Sequence, residues 1–547
     1  MKSQCLPFAQ IPHTTRLFLD YLSYSPSNSS VRGMYPRSPI FSEWVKDEAG
    51  RVVYDAARRA KVSEILERQN RAWGASAKTL ANIERLRRGA LAAVTGQQVG
   101  LFGGPLFSIF KALTAIKLAE QATAAGVDCV PVFWLATEDH DLAEVDHVAL
   151  LSERGIPESI ALESGAFAGA AVADAPVGSL EFGAGIASVA ERATALLGDS
   201  EVATWLREAY RPGESLGSGF ARLFARLFSG WGVILLDPAD KEFHYLAKPL
   251  FRAAIERAAE LDEALLARGK AIETAGYHQQ VKVTSATTLL FAVKNGARIA
   301  VRRKANGAGG EFAVGEKRIS ARELLERIDH APEEFNANVL LRPVVEDYLL
   351  PTLVYTGGAA EVAYFAQAGV VYEKLLRRVT PIVPRFSATL VEAKPERILA
   401  RYRLGLPDVF MGAEKVREAI AARSLPADLQ SRFSEAYASL EQSMIALRDS
   451  IGKLDSTLIH AADRTRMSMW QEVNRLHMRA TRAELLRNET IARHAEAVSG
   501  VLFPHKALQE REIAGVSFVA RYGLELLADL YGRIHPDCHD HQAITLQ

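Results

Sequence analysis

Hydrophobic positions along this chain change their period several times, and each change marks an element. From Asp55 to Arg88 apolar and charged residues interleave at helical spacing, which predicts helices after a loop-rich beginning. At Leu91 the texture changes. A short apolar run, Leu91 to Val94, leads into a glycine-rich turn, Gly96 to Gly104, then an apolar helix from Pro105 to about Ala124 and a second run, Val130 to Ala136. That order predicts one βαβ unit. Strands apolar on both faces belong to a parallel sheet covered by helices, where ligands bind beyond the carboxyl ends of the strands. The fold class is therefore α/β.

Further strand signals follow. Gly232 to Leu236 ends at Asp237-Pro238, and the β-rich stretch Gln280 to Arg303, with turn signals at Asn295-Gly296 and Asn306-Gly307, predicts an antiparallel insertion. Leu353 to Tyr355 runs into Thr356-Gly357-Gly358 and a helix through Glu361 to Gln367, repeating the strand, glycine turn, helix order and returning to the core sheet.

Between Pro426 and Pro504 there is no proline, and Gly452 is the one glycine before Gly500, so a very long helix or a helical hairpin is permitted. Leu440, Met444, Leu447, Ile451, Leu454 and Leu458 alternate by four and three, an a/d seam of roughly 27 Å. A turn near Asp455 and Ser456 would return a second helix to about Val498. With Ile445 and Ala446 on its flank, the stripe also fits bundle-type packing. An apolar stripe on a projecting arm predicts a homodimer. The expected division is a core over 1–400 with insertions at roughly 150–230 and 270–335, a helical arm over 412–500, and a segment 501–547 returning to the core.

Composition narrows the class. Of 547 residues, 48% are hydrophobic and 24% charged, which predicts a folded protein. Sixty-five basic residues balance sixty-five acidic ones, so the broad attraction to phosphate backbones that marks nucleic-acid binders is absent. Cys5, Cys129 and Cys538 are far apart with no CxxC pair, which suggests neither a disulfide framework nor a cysteine-rich zinc site and fits a reducing cytoplasm. Neither a signal peptide nor a run of 18 apolar residues is found, so no membrane association is expected.

Two clusters carry candidate chemistry. The first is the segment Val94 to Phe107, containing Thr95, Gly96, Gln97, Gln98, Gly100, Gly103 and Gly104 ahead of a helix. Glycines let a backbone approach a ligand, and a helix N-terminus offers N–H groups to an anion, so phosphate is the natural guess. Lys111, within the helix, either reaches forward to that phosphate or sits on a solvated face. The spacing matches neither GxGxxG nor the Walker pattern, and a tight structural turn explains it equally. The second cluster, Glu138, Asp139, His140 and Asp141 after Thr137, follows an apolar strand. Neighbouring carboxylates and imidazoles tune one another's pKa and suit a general base or an amine-orienting group; helix capping is the plainer alternative. His140 and Asp141 are the leading candidates.

His278, in Gly276-Tyr-His-Gln-Gln280, and Arg342, before Pro343 and Glu346, are further candidates for ligand contact. An arginine beside acids is also a common structural ion pair. The tail His535-Pro-Asp-Cys-His-Asp-His541 has metal-ligand residue types without a spaced partner motif, and is read as a chain end.

Thr95 to Pro105, Phe133 to Asp141, Gly276 to His278, Asn338 to Pro343, and Leu502 to Pro504 with Leu508 to Arg511 together resemble the bacillithiol biosynthesis cysteine-adding family, from about Tyr21 to the C-terminus. The resemblance implies a ligase joining the carboxyl group of cysteine to the amino group of glucosaminyl malate in the last step of bacillithiol formation. It also implies a Rossmann-like, nucleotidyltransferase-type core with connecting insertions, and a coiled-coil arm that mediates dimerisation. Amide formation in water is uphill, so ATP is expected to activate the carboxylate and ATP or ADP to bind; the metal requirement is left open. Two rivals are an enzyme of the same fold activating another small carboxylate, and a non-catalytic coiled-coil scaffold.

Overall fold

The seven residues Leu91–Gln97 form the central strand of a five-stranded parallel sheet in the computed structural model, which describes residues 2–163, 165–168, 174–304 and 311–546. The strand order is Ile382–Pro384, Thr352–Gly357, Leu91–Gln97, Cys129–Leu135, Ile234–Leu236, every neighbour parallel. Side chains alternate between two apolar layers. Ala92, Val94, Val130, Val132 and Trp134 enter a large cluster with Val62, Ile65, Phe251 and Phe365, whereas Ala93, Val354 and Val383 meet Leu118, Ala119 and Phe41. Helices therefore cover both faces, as the continuous apolar runs require.

Several elements extend beyond their predicted spans. The first strand continues to Gln97, so Gly96 lies inside it, and the helix after Gly358 runs over Ala359–Leu376. The edge strand Ile382–Pro384 went unpredicted because three residues carry too little periodicity. Asn295 and Gly296, with φ of 53° and 79°, turn the hairpin between Thr287–Lys294 and Ala297–Arg303, the conformation that such a two-residue turn needs. These two strands belong to a second, antiparallel sheet of five, closed by Phe335–Ala337. Asn306-Gly307 lies outside the described residues. Between the strands Cys129–Leu135 and Ile234–Leu236 the chain adds a hairpin, His147–Leu151 with Pro157–Ala161, and three helices, Ile186–Leu197, Glu201–Ala209 and Leu216–Leu227.

Two compact units divide the chain. The larger comprises Cys5–Ala388 and Glu510–His541; the smaller comprises Met1–Gln4, Thr389–Gln509 and Gln542–Gln547. The smaller contains an antiparallel helical hairpin, Ala427–Leu454 and Ile459–Arg487, turning through Ser456–Leu458, followed by Glu489–Leu502 after a break at Asn488. A Cβ at Gly452 would lie 3.2 Å from Ile459, so the turn is tight.

The predicted seam divides between the inside of the hairpin and its exposed face. Within the hairpin Phe433 stacks on His477, Tyr437 packs on Trp470, Met444 is buried, and Arg448 pairs with Asp463 at 3.0 Å. Leu447 and Leu454 remain 50% and 83% exposed. A straight helix with 3.6 residues per turn drifts about 20° per heptad from a 3.5 repeat, so the inward stripe passes from Met444 to Arg448 and leaves Leu447 outside.

Candidate active site

Where the second strand of a parallel sheet lies to one side of the first and a later strand to the other, their carboxyl ends part and leave a crevice. Here that point falls between Gln97 and Gly357. A cleft of about 520 Å³ opens there, lined by Gly96, Gln97, Gln98, Lys111, Asp139, Arg342, Glu361, Arg385 and Arg511 among others, all from the larger unit.

Lys111 and Glu361 form its floor. Lys111 is buried, and its Nζ donates to Gly96 O at 2.7 Å and Gln97 Oε1 at 2.8 Å and pairs with Glu361 Oε2 at 2.7 Å. It lines the cleft floor and does not sit on a solvated face. Burial pulls its ammonium down to about 8, with Glu361 opposing the shift. Glu361 also accepts from Tyr355 Oη and from the Gly358 amide, both at 2.7 Å. Burial alone would raise its carboxyl, but Lys111 and these donors outweigh it and hold the group below the usual carboxylate range.

Three cations surround one aromatic ring. The guanidinium carbons of Arg385 and Arg511 stand 5.2 and 5.8 Å from the Phe107 centroid, and Lys111 Nζ stands at 5.8 Å. Arg385 is buried and held by Glu510 at 2.6 Å; Glu510 in turn accepts from Ser387 Oγ at 2.9 Å and from the Ala388 amide at 3.0 Å. Arg511 is exposed and has no hydrogen-bond or ion-pair partner among the described residues. It is the guanidinium available to an anionic ligand.

The glycine turn is divided: Gly96, Gln97, Gln98 and Gly100 line the cleft, whereas its later residues build a tight turn. Phe102, Gly103 and Gly104 all take positive φ, and a Cβ on Gly100 would lie 3.0 Å from Gly104 Cα, so the chain folds tightly on itself. The amides of Gly100, Leu101, Gly103 and Gly104 donate to Gln98 O, Val145 O, Gly100 O and Leu101 O. A phosphate cradle needs amides without internal partners. Gly103 packs against Leu223 and Phe224 instead, and Thr95 is buried with Oγ1 donating to Thr356 O at 2.8 Å, tying two strands together.

The acidic cluster separates into different environments. Asp139 lines the cleft, where Gln98 Nε2 bridges it at 2.7 Å to Glu144 at 2.6 Å. Glu138 turns away into the interior, accepting from His244 Nε2 at 2.9 Å and Asn336 Nδ2 at 2.6 Å. Burial would raise its carboxyl, yet His244 and Arg298 hold it low, and Glu138 in turn raises the His244 imidazole against the effect of burial. His140 lies over the insertion, its ring 5.9 Å from Phe291 and Nδ1 3.3 Å from Arg298. Asp141 is exposed at the start of the Leu142–Glu144 turn and makes no side-chain cap. Neither of the leading candidates, His140 and Asp141, lines the cleft: the chain rotates after Thr137, whose hydroxyl bonds Asp237, and of the four only Asp139 faces the cleft. His278 is exposed and also outside the cleft lining. Arg342 is inside it, oriented by Glu346 at 3.0 Å and Tyr364 Oη at 2.5 Å.

Sequence reasoning missed Glu361, Arg385 and Arg511 as site residues. A signal existed for Glu361, which stands three residues after Gly358 in the second strand, glycine turn, helix repeat and returns a side-chain bond to the Gly358 amide. For Arg385 there was none, and Arg511 stood only as the end of the Leu508 to Arg511 motif with no role attached, because both reach the cleft from distant parts of the chain.

A parallel sheet with a cationic cleft at its switch point, in a chain that also contains a long helical hairpin, defines a Rossmann-like α/β protein with a C-terminal coiled-coil domain. Residues 1–386 match the bacillithiol biosynthesis BshC N-terminal Rossmann-like domain, and residues 388–546 match the BshC C-terminal coiled-coil domain. The chain belongs to the BshC family. Similar curated proteins, each named "Putative cysteine ligase BshC", include one from Koribacter versatilis, 46% identical over 546 residues and all of both chains. Others come from Solibacter usitatus, 35% identical over all of both chains, and Salinibacter ruber, 34% identical over 96% of both.

Proposed function

We propose that this chain is a cysteine ligase that forms the amide between the cysteine carboxyl group and the amine of glucosaminyl malate, completing bacillithiol. The observation that carries the reading is a cleft at the sheet's switch point that joins Arg511, a cation with no ion-pair partner among the described residues, to a carboxylate pair, Asp139 and Glu144, in a chain of the BshC family. Arg511 suits a substrate carboxylate, and the carboxylates suit an ammonium. The amine must lose a proton before its nitrogen attacks; Asp139, at the cleft wall, is the acceptor we assign, in place of His140 or Asp141. The new C–N bond forms as the activating group leaves the carboxyl carbon with its electron pair. ATP supplies that activation when bound. The residues that fit its phosphates are Arg511 and Arg385 around Phe107, while the amides of Gly100, Leu101, Gly103 and Gly104 in the glycine turn are already bonded.

We place the reaction in the cytoplasm, where small-molecule thiols are assembled; no described helix is long and apolar enough to cross a membrane. A homodimer through the helical hairpin is part of the proposal. Its support is the exposed apolar set Leu447, Leu454, Leu458, Met467 and Trp470. Thiol profiling of a strain lacking this chain tests the function: bacillithiol should vanish while glucosaminyl malate accumulates, and complementation should restore it. Unchanged bacillithiol would overturn the reading.

A further inference from the structure

The C-terminal segment His535 to His541 offers metal-ligand residue types without a partner nearby in sequence. The fold supplies one from the other end of the chain. The strand Lys2–Leu6 is the sheet neighbour of His541–Thr545, which brings Cys5 beside Cys538 and Asp540. The two sulfurs and a carboxylate oxygen lie within 4.8 Å of one another, the one such convergence of three His, Cys, Asp or Glu side chains among the described residues. Other members of the segment are already committed: Asp537 Oδ1 accepts from the Ser42 amide at 3.2 Å, His539 Nε2 lies 3.0 Å from Pro39 O, and His541 is buried against Ser387. These contacts fix the segment, so Cys538 and Asp540 are held facing Cys5.

We propose that Cys5, Cys538 and Asp540 form a binding site for a thiophilic divalent cation, with Zn²⁺ the best chemical match and a fourth position taken by water. Ligands on a tetrahedral zinc, at about 2.3 Å for sulfur and about 2.0–2.2 Å for oxygen, are separated by roughly 3.5–3.8 Å, so the observed cluster needs only a small contraction. Two sulfurs select zinc over the hard cations magnesium and calcium. Binding converts both thiols to thiolates and releases two protons per ion. Neither cysteine nor Asp540 lines the cleft, so the ion fastens the two chain termini and acts on stability rather than on the amide chemistry.

The test is zinc titration of the reduced, chelator-stripped full-length protein in competition with a chromogenic chelator, alongside thermal melting. One ion per chain and a raised melting temperature are expected, with Co²⁺ in its place giving a sulfur-to-cobalt charge-transfer band. Cys129 is buried and remote, so a Cys5→Ser/Cys538→Ser variant should lose that band and the stoichiometric ion. Asp540→Asn should weaken affinity by at least about tenfold, because even outer-sphere partners of metal ligands are worth that much. Equal zinc uptake by the double cysteine variant would overturn the proposal. So would absence of stoichiometric binding, including the case in which Cys5 and Cys538 form a disulfide and bind no metal.

Discussion

Lys111 Nζ and Glu361 Oε2 meet at 2.7 Å across the cleft floor, each carried by the helix that follows one of two adjacent parallel strands. The pair fastens the two strand, turn, helix units at the point where they part, and it does so while buried. Breaking one partner of such a pair leaves an uncompensated charge. Glu361→Gln should therefore destabilise the protein by about 3–5 kcal/mol, while a Lys111→Met/Glu361→Leu double variant should cost markedly less. Chemical denaturation of the three proteins measures this, and equal losses in the single and double variants would contradict it.

Asp139→Asn should lower bacillithiol formation by about 10²- to 10⁴-fold with little change in melting temperature, as expected for loss of a proton acceptor. Asp141→Asn, outside the cleft lining, should leave yield near that of the native chain. Product per folded molecule decides between them. The reverse ranking would return the role to Asp141.

Arg511 should behave as a ligand contact. Arg511→Ala should weaken anionic ligands with little loss of stability, since only the contact with the Phe107 ring is given up and no hydrogen-bond or ion-pair partner among the described residues is left behind. ADP at millimolar concentration should raise the melting temperature of the native chain by an amount following RT ln(1 + [L]/Kd), and less in the variant. Identical shifts would place the nucleotide elsewhere.

Burial pushes the His541 imidazole down to about 4. Between its ordinary value of about 6.5 and that pH the unfolded chain binds a proton that the folded chain does not, so this group's contribution to stability falls as pH falls. The stability advantage of the native chain over His541→Asn should shrink from pH 6.5 towards pH 4, by on the order of 3 kcal/mol at most. A pH-independent difference would show that the imidazole is protonated in the folded state.

Light scattering should give twice 59.8 kDa. Leu447→Glu/Leu454→Glu, at positions exposed within one chain, should yield a monomer that keeps its helicity; a persistent dimer would assign the interface elsewhere.

The sequence alone determined the elements whose signal is local. Leu91 to Val94, the glycine turn, the helix to Ala124 and Val130 to Ala136 announced a parallel βαβ unit, because apolar runs and glycines act over a few residues. Asn295-Gly296 likewise fixed a hairpin through the φ values that those residues tolerate. The Pro426 to Pro504 interval, free of proline, permitted the long helical hairpin and located its turn.

Only the tertiary structure decided which side chains share the cleft. Glu138, Asp139, His140 and Asp141 are consecutive, yet one turns inward to His244, one faces the cleft, one packs on Phe291 and one is exposed, because each residue rotates the side-chain direction and no periodic rule governs a loop. Arg385 and Arg511 meet at Phe107 across more than a hundred residues, and Cys5 meets Cys538 from opposite ends of the chain. Such convergence depends on strand order and on the routing of the chain around the sheet, both set by packing of whole apolar faces rather than by the residues that end up in contact.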